Sequence, residues 1–242
     1  MRRLQLEVLA RWRAHLADRE LSSGRYDDAE RLVAEAMRLM KDSTGADPVH
    51  EIVLLNRLGM IHKYQGRFSE GRRAYRRALR IASSCFGRRN PMTAALYHNL
   101  GGIEHARGRF ARAEILARHG VTIRERALGA RHADVARDHA ALAPILDGLN
   151  RHGEAELLHR RALETFRRSW WANRRDVAVT LANLAACLHH SGRALEAETF
   201  ASESVTIHER AFGRSHPGTA WARANLEAIR RAMAQASRGG QD

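Results

Sequence analysis

Asparagines stand at three matching points of this chain, Asn99, Asn183 and Asn225, all in step with an interval of 42 residues. An amide side chain offers two donor hydrogens and an acceptor oxygen. A row of them suits the main chain of an extended polypeptide, whose peptide groups it can hold without reading side chains. Arg57 fills the same slot in another copy. With Lys63 and Arg137 it supplies cations that favour carboxylates. Tyr64 and Trp221 add aromatic surface, and His98, His105, His189 and His190 add imidazoles at related phases. His98 and His105 are two helical turns apart, not the i, i+4 pair of a metal-binding helix, and no carboxylate converges on them in the linear spacing. They read as solvated or pocket-lining groups, or as pH-sensitive contacts with an acidic partner. There is no phosphate loop, no Gly-x-Ser-x-Gly and no paired His-Glu metal helix. The expectation is therefore a protein that is not an enzyme, with no catalytic residues, no metal and no cofactor.

The elements that must position these residues are repeats. Gly24, Gly66, Gly108, Asn150 and Gly192 keep the interval, each followed by arginine. Phe86-Gly87, Leu128-Gly129, Trp170-Trp171 and Phe212-Gly213 keep it too, with Thr44-Gly45 one step earlier. Such register points to one supersecondary unit copied along the chain, with units at about 7–48, 49–91, 92–133, 134–175 and 176–217. In the third unit, Leu96, Leu100 and Ile103 form one helical stripe. Pro91 begins that helix and Gly108 ends it. Phe110, Ala113, Leu116 or Ala117, Gly120 and Ile123 form the stripe of a second helix. Small residues recur at Ala29, Gly71, Ala113, Ala155 and Ala197, and again at Ala36, Ala78, Gly120, Ala162 and Ser204, where they let helices approach closely. One helical hairpin cannot cover its own apolar face, and stacking copies does. The fourth unit departs: Pro144 removes a helical hydrogen bond and predicts a local change of curvature. Residues 218–233 match only a first helix and would cap the array, leaving a disordered tail at 234–242.

Leu100-Gly101, Gly108, Phe110, Ala113 and Gly120, in this relative spacing, resemble the tetratricopeptide repeat family. The 42-residue period, "FGRSHPGTA" at 212–220 and "LANLAACLHHSGRALEAE" at 181–198 are most similar to its kinesin light chain type of repeat. The resemblance implies an all-α solenoid, a right-handed superhelix whose first helices line a concave groove. It also implies that asparagines at the place of Asn99 and Asn183 hold bound peptides, against the alternative that they only tie helix to helix. The groove-facing set is then the twelve residues above, from Arg57 to Asn225, joined by Arg11, His15, Asp18, Asn56 and Asp147. The function implied is an adaptor that takes a peptide segment of another protein, extended or acidic in character.

Composition narrows the alternatives. The formal net charge is +14, and Lys41 and Lys63 are the only lysines among 41 basic residues. The charge favours acidic partners. The densest runs, "RRAYRRALR" (72–80) and "HRRALETFRR" (159–168), fall on second helices and read as solvated faces. The competing reading is a nucleic-acid surface, for which Tyr75 is the one stacking aromatic. A regulatory peptide-sensing array is a third reading. No run of 18 apolar residues exists and the N-terminal stretch has no uninterrupted apolar core, so a cytoplasmic protein without a membrane span is expected. Cys85 and Cys187 fit no metal spacing and read as small buried hydrophobes. Trp170-Trp171 reads either as a partner anchor or as a plug between repeats.

Overall fold

The structure is a computed structural model that describes residues 2–44 and 47–239. Its described residues form helices and connections without strands. Two compact units divide between Ala127 and Leu128. The first holds α1 (Arg2–Ser22), α2 (Tyr26–Thr44), α3 (Pro48–Tyr64), α4 (Phe68–Phe86), α5 (Pro91–Ala106) and α6 (Phe110–Leu128). The second holds α7 (Ala133–Asp147), α8 (His152–Arg167), α9 (Trp170–His190), α10 (Ala194–Phe212) and α11 (Pro217–Gly239). Successive helices pair as the hairpins that the period predicts. Gly45, in the earliest closing landmark, lies outside the described residues.

The punctuation follows from side-chain chemistry. Pro48, Pro91 and Pro217 each begin a helix, where a missing N–H costs nothing. Asn90 Oδ1 accepts from Met92 N at 2.8 Å, and Asp47 Oδ1 accepts from Val49 N at 3.0 Å, satisfying amides that the first helical turn leaves unpaired. The turn inside each hairpin needs a left-handed residue. Gly108 supplies it at φ 68°, and Asn150, the residue at the same phase in the fourth repeat, adopts φ 61°.

The predicted stripes are buried. Leu96, Leu100 and Ile103 are at most 5% exposed and pack with Tyr75, Ala78 and Ala82. Ala117, rather than Leu116, fills the interior position of α6. Burying a leucine of this kind contributes roughly 1.5–3 kcal/mol. In the second unit, Phe166, Val177, Leu181, Leu184, Leu188 and Ile229 form the corresponding core. The small positions are close approaches: a Cβ on Gly120 would sit 3.0 Å from the Ala94 carbonyl oxygen. At the same phase in repeat five, Ser204 donates its hydroxyl to the Ala178 carbonyl at 2.8 Å.

Repeat four interrupts the pattern elsewhere than at its proline. α7 runs through Pro144, and the helical backbone breaks instead inside α9, at Asn173 (φ −117°, ψ 17°). Position 171 is tryptophan, where other repeats have a positive-φ glycine, so the chain enters the helix early and bends later. Asn173 Nδ2 donates to the Ser169 carbonyl at 3.1 Å across that bend. Trp170 packs on the core, as a plug would, while Trp171 is 80% exposed near the Arg174 guanidinium. Cys187 is buried as expected, but Cys85 is exposed near the end of α4. α11 continues past Met233 to Gly239, through the helix-favouring Ala234, Gln235 and Ala236, and 240–242 lie outside the described residues. No helix among the described residues is long and apolar enough to cross a membrane.

Candidate functional site

In the first unit, the first helices α1, α3 and α5 bring together a cleft of about 250 Å³, lined by Asp18, Ile52, Asn56, Arg57, Met60 and Met92 among others. Asn99 on α5 donates its Nδ2 to Asn56 Oδ1 on α3 at 2.7 Å. That bond uses one donor of Asn99 and one acceptor of Asn56, leaving hydrogen-bonding capacity on both half-buried amides. Arg57 is engaged: its Nε and a terminal nitrogen donate to the two oxygens of Asp18 at 2.7 and 2.8 Å. Lys63 differs. It has no ion-pair partner among the described residues, and its ammonium lies beside Gly102 and 5.9 Å from the Tyr64 ring centroid. Burial holds its pKa below the ordinary lysine value. Burial, and then the Lys63 charge, likewise lower His105, whose ring meets Phe110 edge-on. His98 is half-buried on α5. Tyr64 is exposed and stacks on Tyr26 at 5.7 Å, which places it at the rim formed with α2. Arg11 and His15 are exposed on α1.

In the second unit, Asn183 on α9 is half-buried and makes no side-chain hydrogen bond among the described residues. Asn225 on α11 is committed to the fold, donating to the Ala182 carbonyl at 3.0 Å. Trp221, one turn before it, is 48% exposed. Arg137 donates to Asp176 at 3.0 Å, Asp134 at 2.5 Å and Asn173 at 3.2 Å, so its charge is balanced within the chain. His189 is half-buried with its Nδ1 unpartnered. His190 is exposed and its Nδ1 lies 2.6 Å from Asp147 Oδ2.

Asp147 is the centre of a group that the linear spacing conceals. Its other oxygen lies 2.6 Å from His152 Nδ1, and the Cys187 thiol, which donates to the His152 main-chain carbonyl at 3.4 Å, lies within 4.8 Å of both groups. Burial alone would raise this carboxyl, but the hydrogen bonds from His152 and His190 outweigh it and hold it below the usual range. Burial and the Asp147 charge push the Cys187 thiol up to about 12. His152 was legible only as the residue two past the turn at Asn150, and Cys187 only as an apolar position of α9. The shared phase of Asp147 and His189 was the one signal that these helix ends are neighbours.

The basic runs lie on second helices and are matched by acids in part. Arg77 pairs with Glu51, Arg160 with Glu156, Arg167 with Glu203 and Arg168 with Glu164. Tyr75, the aromatic that a nucleic-acid surface would use for stacking, is 1% exposed and packs against Gly59.

The tetratricopeptide repeat profile matches residues 50–126 and 176–238, more than half of the chain. No curated protein sequence matches. Among solved structures, BtubC (BKLC) from P. vanneervenii is similar with a TM-score of 0.69 at 23% identity, covering 87% of this chain and 84% of that one. A Podosopora anserina protein of kinesin light chain type, with nearly identical TPR-like repeats, gives 0.62 at 18% identity over 79% of this chain and 92% of that one. A Rap protein complexed with Competence and Sporulation Factor gives 0.63 at 13% identity, covering 96% and 66%. At these identities the likeness is one of fold.

Proposed function

Because the chain belongs to the tetratricopeptide repeat family, with repeats of the kinesin light chain kind, we propose that it is a non-catalytic scaffold that captures a peptide segment of another protein. Within a unit, the segment lies along the face presented by its first helices and is gripped through its main chain. The observation that carries this reading is the state of the amides. Asn183 is half-buried without a partner, and the Asn56–Asn99 pair keeps unused donors and acceptors. Amide atoms that are not sealed in the core can be reached by a ligand, and an extended strand of peptide groups would pair with them. A Rap protein of similar fold was solved complexed with Competence and Sporulation Factor, which supports a binding role for such an array.

The charge preference is acidic, and it rests on Lys63. Arg57 and Arg137 already hold Asp18 and Asp176, and they brace neighbouring repeats. Lys63 has no such acid and sits beside Gly102, where the missing side chain leaves its ammonium reachable. The working compartment is the cytoplasm. The test is selection of displayed random peptides on the intact protein. Acidic sequences should be enriched on the wild type and lost on the Asn99→Ala/Asn183→Ala double variant at unchanged helicity. Equal enrichment on both would remove the reading.

A further inference from the structure

Three helix ends of the second unit meet at a polar spot where Asp147 and His190, expected to face the groove, are held by one another instead. Asp147 closes α7, His152 opens α8, and Cys187 stands in the last turn of α9. One ligand atom from each of the three falls within 4.8 Å of the others. The spot is sheltered: Cys187 is 1% exposed, and the Asp147 and His152 side chains are 12% and 28% exposed. The turn between α7 and α8 is fixed by left-handed Asn150 and by the Arg151 amide donating to the Leu146 carbonyl at 2.9 Å. Asp147 and His152 are thus held at a set separation before any ligand arrives.

The donor set is one sulfur, one imidazole nitrogen and one carboxylate oxygen. Calcium and magnesium take oxygen shells, whereas thiolate with imidazole selects zinc among common divalent ions. Zinc bonds of about 2.0–2.3 Å in a tetrahedron separate donor atoms by about 3.3–3.8 Å. All three donor atoms already fall within 4.8 Å of one another, so the ion needs small side-chain shifts that bring the longer separations in and part His152 Nδ1 from Asp147 Oδ1, now 2.6 Å apart.

We propose that Asp147, His152 and Cys187 bind a zinc ion that clamps repeats four and five. His190 is a positioning residue here, holding the second Asp147 oxygen at 2.6 Å so that the first faces the ion. On binding, the Cys187 S–H bond breaks and its proton passes to solvent, while the sulfur electron pair forms the S–Zn bond. His152 moves its ring proton to Nε2 and bonds through Nδ1. No electron changes hands, and water completes the tetrahedron. The clamp joins the end of α7, the start of α8 and the end of α9, so the metal adds its binding free energy to the folding of this unit.

The experiment strips the full-length protein with a chelator and titrates it with zinc against a chromophoric competitor. Cobalt(II) serves as a spectroscopic stand-in. One equivalent should bind and raise Tm, reversibly with EDTA, and cobalt should give the near-ultraviolet thiolate-to-metal absorption. Cys187→Ser should abolish that absorption, and both Cys187→Ser and His152→Gln should weaken zinc at least tenfold. His190→Ala should keep the absorption and weaken zinc less, and Cys85→Ser should bind as wild type. A wild type without stoichiometric zinc or without the thiolate absorption overturns the proposal, whatever the variants do. So does Cys187→Ser that binds zinc as tightly as wild type.

Discussion

Arg57 and Asp18 form a two-point ion pair, nitrogen to oxygen 2.7 and 2.8 Å, between the first helices of repeats two and one. A guanidinium so engaged is a brace. Its Nε and terminal N–H groups fit a carboxylate fork, and Asp18 already supplies one. Arg57→Ala should cost the first unit roughly 0.5–1 kcal/mol, because the pair is partly exposed to solvent. It should leave affinity for an acidic peptide nearly unchanged. Urea denaturation and a peptide titration on the same variant check the two halves.

Lys63 should behave in the opposite way. Burial lowers its pKa in the folded chain, so between that value and the ordinary 10.5 the unfolded chain holds more proton and stability rises with pH. Lys63→Met removes this dependence and should stabilise the first unit at neutral pH. The same variant should weaken acidic-peptide binding and flatten its salt dependence. A loss of stability with binding intact would show that Lys63 serves the fold.

His159 carries a pH prediction for the second unit. It is fully buried, neither ring nitrogen has a partner, and burial lowers its pKa to about 4. The unfolded histidine titrates near 6.5, so below that pH the unfolded chain gains a proton that the folded chain refuses. Stability should therefore be intact above pH 6.5 and fall through the window down to about pH 4, by a few kcal/mol in order of magnitude. His159→Leu should remove most of this slope and be near neutral or stabilising at pH 7. Denaturation midpoints at pH 7 and pH 5 for both proteins decide it.

Two glycines should respond to alanine with opposite signs. A Cβ on Gly59 would lie 2.5 Å from the buried Tyr75 ring, so Gly59→Ala should destabilise by roughly 1–3 kcal/mol. Gly153, in the first turn of α8, has open space around it, and Gly153→Ala should stabilise by up to about 1 kcal/mol. Thermal melts of the pair check the close packing of α3 on α4 against a site where only propensity acts.

The hairpins were legible because helical periodicity and chain punctuation are local. Leu96, Leu100 and Ile103 recur at helical spacing, Pro91 can only begin a helix, and the glycine phase accepts asparagine at 150 without changing the turn. The site was legible by phase and not by partner. Asn99, Asn183 and Asn225 share one slot, yet Asn225 donates to the Ala182 carbonyl one repeat back and Asn183 has no such bond among the described residues. The arginines mislead in the same way. Asp18 and Asp176, a repeat away from Arg57 and Arg137, neutralise them through contacts that the linear spacing does not display. Asp147, His152 and Cys187 converge because three helix ends meet, and no single helix carries a metal spacing.

The most direct measurement is calorimetric titration of one selected acidic peptide into the wild type, Asn99→Ala and Asn183→Ala. On this account, each amide whose hydrogen bonds the peptide uses should cost about tenfold in affinity when removed, with Tm unchanged in Asn183→Ala and slightly lowered in Asn99→Ala, which also loses its bond to Asn56. Wild-type affinity in both variants would contradict it.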